Sequence, residues 1–242
     1  MKKLLLQVFA AVFAIISVQA GFSMTVSAVE EPVPVWEVKK DHHNKHNIEK
    51  YKALIEHEAE QLGLEIDGRK LEDLAKEVFE VNLQNAIREM GLDPQGKDIE
   101  ELKQQLHHAK VVKKAEELGI GTDGKTPEAL AKEVHEVMVR NKAGELGVDT
   151  SGKDFDTIKG EVTMLLITKE AESMGIEVGQ KDADVLKQEI RDQKIKQTAE
   201  ELGIDTETLD ADQLLDEVLQ NHAIEAKEKK LYPFDKKHGS YH

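Results

Sequence analysis

The sequence predicts an all-α protein, an elongated array of six 28-residue helix-loop repeats without disulfides, and three observations carry that prediction. Gly63, Gly91, Gly119, Gly147, Gly175 and Gly203 stand 28 residues apart without a gap. Apolar residues keep the same step, including Leu74, Leu102, Leu130, Ile158, Leu186 and Leu214, a self-similarity that marks a repeat architecture. The 242 residues include no cysteine, so packing, local propensity or a partner must hold the helices.

The chain opens with Lys2 and Lys3, an apolar run from Leu4 to about Ala20, and the small-residue patterns Val18-Gln19-Ala20 and Val26-Ser27-Ala28. This reads as a signal peptide over residues 1–28, cleaved after Ala28, with an apolar core too short to favour a membrane anchor. Of 33 basic side chains two are lost with it and no acidic ones, which leaves 31 against 48 and a net charge of −17. Such a charge repels nucleic acid and anionic membranes. Aromatic residues make up only 4 % of the chain, which favours many small cores over one large core.

Residues 29–50 read as a polar arm containing Pro32, Pro34, Trp36 and the imidazoles His42, His43 and His46. The repeats occupy 51–218, and 219–242 holds the end of the last helix and a tail with Leu231-Tyr232-Pro233-Phe234. Within the third copy, Ala115-Glu116-Glu117-Leu118 ends a helix on Gly119, a C′ position where positive φ is tolerated. Thr126 then caps the next helix with Pro127 at its first position, and Asp98 with Glu101 and Asp210 with Gln213 form capping-box patterns elsewhere. Along the helix from Pro127 to Leu146 the apolar stripe changes face midway: at 100° per residue Leu130 and Val134 lie opposite Val139 and Ala143. Each helix therefore shares its ends between two units, which predicts a zigzag or staggered rod.

The segment Ala115-Glu-Glu-Leu-Gly-Ile-Gly-Thr-Asp-Gly-Lys-Thr-Pro-Glu-Ala-Leu-Ala is similar to the helix-extended-loop-helix motif of SAP, LEM and Rho N-terminal domains. The resemblance covers 59–218 copy by copy and implies the local two-helix fold. It also implies DNA binding through basic residues, which the leader and the charge of −17 oppose.

Candidate binding residues follow from what the repeat leaves over. Arg69, Lys97, Lys125, Lys153 and Lys181 recur just before a helix N-terminus, where positive charge opposes the macrodipole, and Leu209 replaces them in the last copy. A row of lysines could hold a polyanion such as a wall polymer; the favoured alternative is that each covers apolar surface with its stem or pairs with a nearby acid. Acidic residues at Asp93, Asp149 and Asp205, and at Asp98, Asp154, Asp182 and Asp210, read as caps rather than calcium ligands, because their spacing does not fit an EF-hand loop. His42, His43 and His46 could ligate zinc, nickel or copper, though a closed zinc site needs a fourth ligand. Trp36, Tyr232 and Phe234 are either caps for the open ends of the rod or anchors for another protein.

No phosphate loop, nucleophile elbow or His-Glu-x-x-His pair occurs, so no enzyme and no cofactor is expected. The sequence thus points to a secreted, extracellular or envelope-associated interaction or spacer protein of the adhesion type. Its partner would be a protein or an envelope polymer and not nucleic acid, with no membrane span after signal cleavage. A secreted metal-binding protein using His and carboxylates, and so taking up a divalent metal, is the alternative.

Overall fold

A computed structural model describes residues 48–235. The expected signal peptide at 1–28, the residues of the expected arm through 47 with Trp36, His42, His43 and His46, and residues 236–242 lie outside the described residues. A 3-10 turn at Ile48–Tyr51 leads into α1 (Lys52–Gln61), α2 (Leu71–Glu89), α3 (Ile99–Glu117), α4 (Pro127–Leu146), α5 (Phe155–Ser173), α6 (Ala183–Glu201), α7 (Ala211–Asn221) and α8 (Ala223–Glu228). There is no strand among the described residues.

The helices begin and end where side-chain chemistry directs. The Asp98 carboxylate accepts the Glu101 N–H while the Glu101 carboxylate accepts the Asp98 N–H, and Asp210 with Gln213 repeats the box. Thr126, Asp154 and Asp182 cap α4, α5 and α6, and α2 starts without a side-chain cap. At the other end, Gly119 takes φ 69° and the Ile120 N–H reaches back to the Ala115 carbonyl at 2.8 Å. The Gly119 N–H meets the Glu116 carbonyl at 3.1 Å, which completes a Schellman motif. The same pair of bonds closes the helices before Gly63, Gly91, Gly147, Gly175 and Gly203.

Each unit buries its own core. Val111 and Ala115 from the end of α3 meet Leu130 and Val134 from the start of α4. Val139 and Ala143, on the opposite face of α4, meet Ile158 and Val162 of α5. The pattern repeats with Leu83 and Ile87 against Leu102 and Leu106, and with Ile167 and Ala171 against Leu186 and Ile190. The mid-helix change of face is therefore what chains one unit to the next. A buried aliphatic side chain contributes about 1.5–3 kcal/mol, so each small core is a modest stabilising unit.

At the two ends of the described chain the last helices return to the first. Leu219 and Ala223 share one core with Tyr51, Leu54, Ile55, Leu74 and Val78. α7 packs on the 3-10 turn and α8 on α1, while the long helices otherwise pack chiefly on their neighbours in sequence. The physical reason is that terminal units of an array expose half a core. α1 has only the length of the second half of a long helix, and the face of α7 turned away from α6 completes its burial. Ile48 also packs on the first core and Lys50 pairs with Asp216, so residues 48–50 take part in the described fold.

Periodicity also misses one cap of the kind that the glycines form. At the end of α8, Lys230 adopts φ 56°, its N–H bonds the Lys227 carbonyl, and the Leu231 N–H bonds the Ala226 carbonyl at 2.9 Å. This is a seventh Schellman cap. It escapes a 28-residue search because lysine replaces glycine and Lys230 follows Gly203 by one residue fewer.

Candidate functional site

The loop-end lysines are occupied inside the chain. Lys153 Nζ lies 2.6 Å from Glu161 and Lys181 Nζ 2.7 Å from Glu189, each bridging two turns up its own helix. Lys125 pairs with Glu133 and Arg69 with Glu77 in the same way. Lys97 has no acid at that step and donates instead to Gln105 Oε1 at 2.8 Å and to the Asp93 carbonyl at 3.0 Å. The bridge carries the ammonium away from the positive helix end and onto a carboxylate, which removes the electrostatic penalty that the sequence alone leaves unexplained. In the last copy Leu209 packs on the core of Ile195, Ala199 and Leu214.

The loop carboxylates are equally committed. Asp93, Asp149 and Asp205 accept the N–H groups of Gln95, Ser151 and Glu207, which shapes each loop as an Asx turn. Backbone hydrogen bonds hold the Asp149 and Asp154 carboxyls below the usual aspartate range. No group of three or more His, Cys, Asp or Glu side chains is placed to hold a metal among the described residues.

Tyr232 and Phe234 turn inward. Tyr232 is 7 % exposed in the core of the sixth unit, and Phe234 packs on the core of the first. Burial pushes the Tyr232 hydroxyl up to about 12, against the opposing effect of the neighbouring Arg191 guanidinium. Lys194 of α6 holds this tail in place, with Glu170 at 2.9 Å on one side and Asp235 at 3.8 Å on the other.

Sequence reasoning missed the residues that tie the ends together. Glu58, 9 % exposed on α1, receives Lys227 Nζ of α8 at 2.7 Å and Asn82 Nδ2 of α2 at 3.3 Å. Lys50 Nζ meets Asp216 of α7 at 2.5 Å. The repeat gives no signal for Glu58, since Ala86, Lys114, Lys142, Glu170 and Thr198 follow it at 28-residue steps.

Two further features are a polar groove and a half-buried histidine. A groove of about 400 Å³ between α6 and α7 has Ile176, Leu209 and Leu214 for its apolar wall and Glu189, Asp192 and Lys196 among its charged lining. Glu189 is already bridged by Lys181. His135, on α4, stands edge-on to Phe155 at 5.5 Å with its Nε2 buried and unpartnered. Burial first, and then the Lys159 charge, lowers its pKa from the ordinary histidine value.

No helix among the described residues is long and apolar enough to cross a membrane. No protein-family model, no curated protein and no solved structure matches the chain.

Proposed function

We propose that the chain is a secreted, non-enzymatic helical repeat protein that works outside the cell or in its envelope as an interaction or spacer module. One observation carries the reading: the polar residues that recur from copy to copy serve the repeat itself. The aspartates cap helices or shape loops, and Lys125, Lys153 and Lys181 bridge to acids two turns away. A catalyst singles out one constellation in one place, whereas a repeat presents similar surface several times over and so favours multivalent binding. The excess of acid over base selects a partner that carries positive charge, whether a protein or an envelope polymer. The elongated array of six 28-residue repeats belongs to this proposal, and the likeness to SAP, LEM and Rho N-terminal units extends only to the two-helix unit.

Co-sedimentation with isolated envelopes tests the reading. The chain should pellet with envelopes at low salt and be released as ionic strength rises. Retention in the supernatant at every salt concentration would sink the proposal.

A further inference from the structure

We propose that the junction between the first and last units is an exchangeable clasp, through which a second copy of this chain can take the place of the chain's own first unit and join copies head to tail. The proposal goes beyond what the array binds and is independent of it.

The junction differs from every other unit in one respect. Elsewhere the two helix halves of a core are joined by a short loop, as α3 is to α4 between Glu117 and Pro127, so they cannot part company without leaving the unit unfolded. At the junction no loop joins α7 and α8 to the α1–α2 unit on which they pack: Lys50 and Asp216 are 166 residues apart, and Glu58 and Lys227 are 169 apart. The two faces can separate as folded bodies. Each end then presents what the other lacks, with Tyr51, Leu54 and Ile55 on one side and Leu219 and Ala223 on the other.

The contacts also fix the register of a partner. Glu58 is a buried carboxylate that needs the ammonium of Lys227, and Lys50 needs Asp216, so an incoming face must carry both charges in the right place. A second copy meets that requirement without any new interface, which is the condition for exchange of identical elements between protomers. Because the contacts are the same in both forms, concentration decides between them. The chain's own end competes at an effective concentration on the millimolar scale, so joined copies accumulate as the protein, or its local density on a surface, approaches that range. A head-to-tail junction of this kind gives rings or filaments according to whether the rotation closes.

The absence of cysteine makes the test clean. Lys50→Cys is placed in one batch of chain and Asp216→Cys in another; the two are mixed, opened in mild denaturant, returned to native buffer and treated with a short bis-maleimide. The cross-linked heterodimer should rise at least tenfold over a Lys50→Cys and Glu145→Cys control mixture as protein goes from about 1 µM to about 1 mM. The double variant Lys50→Cys/Asp216→Cys should link within one chain at the low end. Yields equal to the control at every concentration would overturn the clasp. Sedimentation of the unsubstituted chain after the same cycle guards against a folding defect in the variants: its average mass should rise with concentration, and a strict monomer throughout would overturn the proposal equally.

Discussion

Glu58 on α1 and Lys227 on α8 form an ion pair at 2.7 Å although they stand 169 positions apart in the sequence. The carboxylate is almost wholly buried while the lysine is half exposed, so the pair is asymmetric: water can replace the carboxylate for Lys227 but not the ammonium for Glu58. Lys227→Met should therefore lower stability by about 1 kcal/mol, a figure kept small because solvent screens the exposed partner. Adding Glu58→Gln to that variant should return part of the loss. Denaturant titrations of the three variants check this, and strict additivity of the two single effects would rule out the pairing as the cause.

Backbone conformation separates glycines that look alike in sequence. Gly119 sits at φ 69°, so Gly119→Ala should cost about 1 kcal/mol. Gly144 lies inside α4, and an added Cβ would meet nothing within 4 Å, so Gly144→Ala should raise stability by about 0.5–1 kcal/mol. Lys230 holds the left-handed position of the seventh cap, and Lys230→Gly should gain up to about 1 kcal/mol. Thermal melts of the three variants should show one loss and two gains.

Separate cores predict separate energetics. Ile87 and Ile195 are buried in different units, and Ile87→Val and Ile195→Val should each cost about 0.5–1.5 kcal/mol. Their double variant should equal the sum within about 0.5 kcal/mol, because the sites share no partner. Ile87 and Leu102 belong to one core, so Ile87→Val with Leu102→Ala should depart from additivity. Additivity in both pairs would argue against discrete unit cores.

His135 gives the fold an acid-sensitive point. Its folded pKa lies below the unfolded value of about 6.5, so the unfolded chain binds the proton first as pH falls. The contribution is fully present above pH about 6.5 and declines below it, until the folded-state ring protonates as well. His135→Gln should therefore narrow the difference in melting temperature between pH 7.5 and pH 5.5. An unchanged difference would assign the acid sensitivity to other groups.

Much of the local structure was legible. Thr126, Asp98, Asp154, Asp182 and Asp210 mark helix starts in the sequence and cap them in the structure, because a side-chain oxygen bonding an N–H two or three residues on is a strictly local event. The change of apolar face along α4 was legible for the same reason, since 3.6 residues per turn fixes where Leu130 and Val139 point. The lysine row was legible as a pattern but not in its role. An ammonium at the end of four methylenes can reach several acids, and only the path of the helix shows that Lys153 selects Glu161.

By itself the sequence determined the helical class, the 28-residue unit, the glycine that ends each helix and the two faces that bury separate cores, all consequences of interactions within about thirty residues. Only the tertiary structure decided that α7 and α8 come back to α1, that Tyr232 and Phe234 close the chain's own cores, and that Lys230 ends a helix without a glycine. The rotation from one unit to the next is set by side-chain packing at each core, and small angles accumulated over six units decide whether the ends meet. A period in the sequence records the unit but not that angle.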